Sequence, residues 1–123
     1  MGATNFLTLS NGKTASDAYH AAVLQATAEY GHQEGYNGTI STTNEFVELN
    51  SEVFKGLGRK ARLIILDSIA EGFEPEKSAL GAKGWDVLHT LMSSRLPRAE
   101  KWGRCYAVRL NHNTFAFAGL AAE

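Results

Sequence analysis

The chain has little of several features on which functional assignments commonly rest. It contains a single cysteine, Cys105, so no intrachain disulfide can form, and a disulfide-stabilised secreted scaffold is excluded. Cys105 lies in a strand-like run, Arg-Cys-Tyr-Ala-Val-Arg, which favours a packing role over a reactive thiol. No apolar run approaches the roughly 20 residues that span a bilayer, and the first residues contain neither a charged leader nor an apolar signal segment. We therefore expect a cytoplasmic protein that does not act at a membrane.

An excess of charge of either sign is also lacking. The 12 lysines and arginines stand against 13 aspartates and glutamates, for a formal net charge of −1. A domain that holds nucleic acid mainly through its phosphates is normally more basic, so nucleic acid is not the favoured partner, although a local basic patch fits this balance. The length of 123 residues and the 44% hydrophobic content predict one soluble domain over residues 1–123.

The hydrophobic pattern predicts strand, helix, strand, helix, helix, strand and strand, in that order. Residues 5–9 are strand-like and end at an Asn-Gly turn, and apolar residues at helical spacing predict a helix over 15–30, capped by Thr14. Residues 39–49 favour a strand. Residues 61–70 fit a helix by their length, although 63–66 taken separately fit a buried strand.

The second half of the chain completes this pattern. A helical stripe from Trp85 to Leu96 follows the break at Pro75, and residues 105–110 and 114–120 read as a hairpin joined at 111–113. Helical stripes and strands of this kind are buried together when helices cover a sheet. The prediction is an α+β fold: a mainly antiparallel sheet with two or three helices packed on one face.

The most informative stretch is residues 31–40, Gly-His-Gln-Glu-Gly-Tyr-Asn-Gly-Thr-Ile. Glycine-rich turns can present several backbone N–H groups to an anion. No Gly-Lys-Ser/Thr follows, as a phosphate loop requires, and the glycines follow a helix rather than open one, unlike the dinucleotide fingerprint. Two interpretations stay open: a structural connection through an Asn-Gly turn, or a ligand-binding loop. In the second, the binding residues are His32, Tyr36, Asn37, Gly38 and Thr39.

Basic residues form two groups along the chain. An arginine beside an aromatic ring can hold a phosphate while the ring stacks on a base, so the second group favours a nucleotide-like anion. A solvated rim around a buried Trp102 is the alternative. The first group is Lys55, Arg59, Lys60 and Arg62; the second is Arg95, Arg98, Lys101, Arg104 and Arg109, interleaved with Trp102 and Tyr106. From the second group, Lys101, Trp102, Arg104 and Arg109 are the predicted ligand-binding residues.

The pattern favours binding over catalysis. His32, Glu34 and Tyr36 suit general acid–base chemistry, but no activated nucleophile accompanies them and no Gly-x-Ser-x-Gly elbow occurs. The four histidines lack the spacing of metal ligands, so we predict neither a metal nor another cofactor. One alternative is a nucleotide-processing enzyme that uses His32 with arginines and lysines of the C-terminal part. A nucleic-acid-binding module is another.

Several motifs resemble those of a family of small uncharacterised proteins of phages and prokaryotes. They are Asp-Ala-Tyr at 17–19 and a "YGH…GYxGTI" loop formed by residues 29–32 and 35–40. Later in the chain, Lys-Trp-Gly at 101–103 and the Phe- and Gly-rich run at 115–119 continue the likeness, although Arg-Cys follows where Pro-Ala is typical. The resemblance implies a phage-type accessory protein in the host cytoplasm. Its expected partner is a host protein or a small anionic ligand such as a nucleotide, and we expect it to self-associate as a homo-oligomer.

Overall fold

One four-stranded sheet organises the fold. The structure, a computed structural model, describes residues 3–30, 40, 43–71, 74–93 and 104–122. The strands are β1 (Ala3–Asn11), β2 (Glu45–Glu48), β3 (Arg104–Asn111) and β4 (Thr114–Ala122). Their order in the sheet is β1-β4-β3-β2. Because β4 is antiparallel to both of its neighbours and β2 is parallel to β3, the sheet is mainly antiparallel, as predicted.

The described helices are α1 (Ala15–Tyr30), α2 (Arg59–Glu71) and α3 (Lys77–Ser93), with a short 3₁₀ turn at Ser51–Phe54. α1 has the predicted bounds, and the Thr14 hydroxyl accepts the Asp17 backbone N–H at 3.1 Å, as a cap does. α2 covers the ambiguous run 61–70, so the strand alternative there is wrong. α3 is interrupted at Gly81, whose φ of 74° suits glycine. None of these helices is long and apolar enough to cross a membrane.

The α+β class is confirmed, but helices cover both faces of the sheet rather than one. α1 packs on the face that includes Cys105 and Phe117, whereas α2 and α3 pack on the face that includes Tyr106 and Val108. The cause is the topology. α1 carries the chain from β1 across the sheet to β2, while α2 and α3 return it from β2 to the adjacent β3. Parallel crossovers are right-handed, so two that move in opposite directions place their helices on opposite faces.

The second strand is shorter than the predicted run 39–49. It occupies only Glu45–Glu48, and the described residues before it, Ile40, Thr43 and Asn44, are not part of the strand. The backbone N–H and the hydroxyl of Thr43 both donate to the Ile40 carbonyl, at 3.0 and 2.7 Å. Ile40 is 1% exposed in the cluster beneath α1. Its side chain therefore serves the core without belonging to the sheet.

The C-terminal hairpin is confirmed, with β3 and β4 joined by a turn at residues 112–113. Phe115 and Phe117 share one face, as the two-residue period predicts, and both are fully buried. The register shifts between Arg109 and Asn111. This irregularity lies beside the pocket described next.

Candidate functional site

An open pocket of about 400 Å³ lies at the end of the sheet where β3 turns into β4. Ser51, Glu52 and Lys55 line it from the 3₁₀ turn and the residue that follows. Arg62 of α2 and residues 109–112 of the hairpin complete the lining. Because β2 and β3 are parallel, their carboxyl ends meet at this end of the sheet, which is where open sheets with parallel strands commonly bind ligands.

Arg62 is held in the pocket wall by three backbone carbonyls. Its Nε donates to Leu57 O at 3.2 Å, and its two terminal nitrogens donate to Arg109 O at 2.8 Å and Phe54 O at 3.2 Å. These bonds tie the 3₁₀ turn and the start of α2 to the end of β3. A planar guanidinium suits this role because its five N–H donors form a rigid fork.

Arg109 is fixed from the other side of the sheet. One terminal nitrogen donates to His112 O at 2.8 Å and the other to Lys13 O at 3.5 Å. The guanidinium carbon lies 4.6 Å from the centre of the Phe115 ring, which is a cation–π distance. Arg109 is therefore oriented by carbonyl dipoles and by a ring face, all of them uncharged.

The pocket carries excess positive charge. Lys55, Arg62 and Arg109 line it with one carboxylate, that of Glu52. Within the described residues, Arg104 pairs with Glu45, and His89 lies 3.9 Å from Glu74, so neither contact neutralises a pocket cation. Hydrogen bonds to carbonyls use only some of the guanidinium donors. The pocket therefore has positive charge that no described ion pair neutralises, which favours an anion.

Two of the predicted site residues, Arg104 and Arg109, lie in the described part of the chain, and they do not lie close together. Arg104 opens β3, where its Nε donates to Glu45 Oε1 at 3.1 Å on the α2–α3 face. Arg109 lies five residues later on the opposite face, about 17 Å along a strand at roughly 3.3 Å per residue. Arg109 belongs to the pocket, and Arg104 belongs to a separate ion pair at the other end of β3.

The remaining predicted ligand-binding residues lie outside the described residues: His32, Tyr36, Asn37, Gly38, Thr39, Lys101 and Trp102. Whether the glycine-rich stretch binds a ligand or only connects elements therefore stays a prediction.

A buried hydrogen-bond network anchors the chain just after that stretch. The Thr43 hydroxyl gives its single proton to the Ile40 carbonyl, so the Tyr19 hydroxyl, 2.6 Å from Thr43 Oγ1, must be the donor in their bond. The Tyr19 ring contacts Phe46 and Phe117, with centroids 5.1 and 5.8 Å apart. Burial raises the pKa of Tyr19, so the phenol stays protonated and able to donate near neutral pH.

Cys105 lies in the same buried cluster as Tyr19 and Ile40. It is fully buried, which confirms the predicted packing role. Burial raises the pKa of its thiol to about 12, and the neutral thiol is a poor nucleophile. Among the residues with described positions, no three His, Cys, Asp or Glu side chains gather as metal ligands would.

The sequence prediction missed the partners of Arg109 in the pocket. The sequence pattern identifies Lys55 and Arg62 only as members of a basic group, and Asn111 and His112 only as turn residues. Their meeting depends on the parallel pairing of β2 with β3, which no local pattern reports. In the sequence, only the short spacing between the strand at 45–48 and the basic residues 55–62 indicates that these residues lie near the end of that strand.

No protein-family model, no curated protein and no solved structure matches this chain.

Proposed function

We propose that the protein binds a small anionic ligand, of the class of nucleotides and other phosphate esters, in the pocket between the 3₁₀ turn and the hairpin, and does not convert it. The observation that carries the proposal is which groups bind the guanidinium groups of Arg62 and Arg109. Both are fixed by uncharged groups, and neither has a carboxylate partner within the described structure. Phosphate and carboxylate oxygens are the ligands that match the geometry of a guanidinium group.

The pocket lining supports binding without conversion. Its nucleophile candidate, Ser51, has no described basic partner at hydrogen-bonding distance, and the thiol of Cys105 is buried elsewhere. Nucleophilic catalysis requires a nucleophile beside a base that accepts its proton. Together with the resemblance to small phage proteins, this supports an accessory protein that sequesters its ligand in the host cytoplasm.

Isothermal titration calorimetry with inorganic phosphate, pyrophosphate, AMP and ATP tests the proposal at low salt. Lys55→Met removes an exposed pocket charge and should weaken binding about fivefold, or about 1 kcal/mol, the size of a contact between partly exposed charges. Lys60→Met is the matched control, because Lys60 is equally a lysine at the surface but does not line the pocket. Equal losses in both variants would show general charge attraction and would refute the pocket.

Recovered ligands distinguish binding from turnover. After prolonged incubation, mass spectrometry should return every bound compound unchanged. A converted product would favour the nucleotide-processing enzyme instead. Tighter binding of an oligonucleotide than of mononucleotides, with a steep loss of affinity as salt rises, would favour the nucleic-acid-binding module, since phosphate contacts release counterions.

A further inference from the structure

The two edges of the sheet differ in length and in charge. β1 pairs with β4 along all nine of its residues without an irregularity, and of the described elements none pairs with its other side. The opposite edge, β2, has four residues, two of which are Glu45 and Glu48. Short charged edges resist pairing with another chain, whereas long regular ones invite it.

The sequence of β1 lacks the charged residues and prolines that protect an exposed edge. Its sequence, Ala-Thr-Asn-Phe-Leu-Thr-Leu-Ser-Asn, contains no charged residue, no proline and no glycine. In a pair of identical strands every charge would be present twice, so an uncharged strand avoids like-charge repulsion with its own copy. The charge pattern thus favours a second copy of this chain as the occupant of the edge.

Two exposed leucines lie on one face of this edge. Leu7 and Leu9 are each 45% exposed. They share a face with Asn5, whose side chain donates to Glu71 of α2, because alternate residues of a strand point the same way. The helices on this face therefore reach the strand at its start but leave both leucines in contact with solvent.

We propose that β1 pairs antiparallel with β1 of a second copy, about a two-fold axis through Thr8, to form a homodimer with one continuous eight-stranded sheet. In this register Thr8 lies opposite Thr8 of the second copy, and Leu7 of each chain lies opposite Leu9 of the other. Each leucine then packs against a leucine of the other chain and loses part of its exposure to water, and the same patch serves both chains, as two-fold symmetry requires. An axis through Leu7 would instead place each Leu9 opposite Asn5.

Sedimentation equilibrium of the full chain over a range of concentrations tests the dimer. The wild-type chain should sediment at twice the monomer mass, and Leu7→Lys combined with Leu9→Lys should weaken association at least thirtyfold, since like charges then face each other. Leu24→Lys is the matched control, because Leu24 is 70% exposed on α1, which packs on the face of the sheet opposite to Leu7 and Leu9. It should leave association unchanged.

A charge swap tests the register. Leu7→Lys combined with Leu9→Glu places an introduced ammonium opposite an introduced carboxylate of the other copy when the axis passes through Thr8. This variant should regain most of the association lost with two lysines. Because both leucines are exposed, each variant should keep the wild-type circular dichroism spectrum, which is measured first.

Hydrogen exchange gives a second measurement that needs no variant. Amides of residues 3–11 should become more protected as the wild-type protein concentration rises, while those of α3 should not change. A monomer at every concentration, a dimer that survives the two lysines, a charge swap that restores nothing, or exchange in β1 that is independent of concentration would each overturn the proposal.

Discussion

The buried network around Thr43 makes a quantitative prediction about stability. Thr43→Val keeps the size of the side chain and removes its hydroxyl. The Ile40 carbonyl still accepts the backbone N–H of residue 43 at 3.0 Å, but the Tyr19 hydroxyl loses its acceptor. Tyr19 is 7% exposed, so water replaces that acceptor poorly. A lost hydrogen bond costs about 1 kcal/mol and an unsatisfied buried donor about 1–3 kcal/mol, so the free energy of unfolding should fall by about 2–4 kcal/mol.

Tyr19→Phe removes the other partner and should cost less. The Thr43 hydroxyl keeps its bond to the Ile40 carbonyl, so only one hydrogen bond disappears, at about 1 kcal/mol. In the double variant no phenol is left without an acceptor. Its cost should therefore be no greater than that of Thr43→Val, which corresponds to a coupling energy of about 1 kcal/mol or more between the two side chains.

Urea unfolding followed by fluorescence measures all members of this cycle. Thr43→Ser keeps the hydroxyl and should lose about 1 kcal/mol through its missing methyl group. Thr90→Val is the control for the general effect of the exchange, because Thr90 is exposed on α3 and bonds only within its own helix; it should change stability by less than about 0.5 kcal/mol. Additive costs for Thr43→Val and Tyr19→Phe would refute the network, since independent sites do not couple.

Three further predictions concern packing, the pocket wall and pH. Gly119→Ala should destabilise the fold by about 1–3 kcal/mol in urea unfolding, because the new Cβ would lie 2.8 Å from the Cβ of Cys105, whereas Gly58→Ala meets nothing within 4 Å and should be nearly neutral. By the same assay, Arg62→Met should lower the free energy of unfolding by about 2–3 kcal/mol, because three hydrogen bonds to carbonyls are lost. Arg59→Met is the exposed control. Wild-type stability in Arg62→Lys would contradict this prediction, since lysine lacks the guanidinium fork that makes these bonds. Burial raises the pKa of the Cys105 thiol from 9.0 to about 12, so between these pH values the folded protein keeps a proton that the unfolded chain releases. The free energy of unfolding should therefore be unaffected below about pH 8 and fall by about 1.4 kcal/mol per pH unit between about pH 9 and 12. Urea unfolding at several pH values should show a smaller slope for Cys105→Ala.

Features set by neighbouring residues could be predicted from the sequence. α1 begins where Thr14 caps it, and its apolar spacing matches the buried Ala18, Tyr19 and Ala22. The hairpin follows from a polar turn between two strand-like runs. In each case the determining groups lie within a few residues of one another, so a pattern along the chain carries the information.

Features set by strand order could not be predicted. The covering of both faces follows from β2 lying outside β3 rather than beside β1. Within the run 39–49, Ile40 and Thr43 have the side chains of strand residues, yet they turn toward α1 because Tyr19 offers a hydrogen bond there. The pocket likewise needs Arg62 beside Arg109, residues 47 positions apart that only the parallel β2–β3 pair brings together.

The pocket and the β1 edge occupy different parts of the molecule, which makes the two proposals separable. β4 lies between β1 and β3, so the proposed dimer edge is about 10 Å from β3 at roughly 4.8 Å per strand. The nearest described link is the bond from Arg109 to the carbonyl of Lys13, two residues beyond the end of β1. A two-fold axis through Thr8 points the hairpin ends of the two copies in opposite directions, so a ligand in one pocket would not contact the other chain. Loss of the dimer through Leu7 and Leu9 should therefore leave ligand affinity intact, and loss of Lys55 should leave the dimer intact.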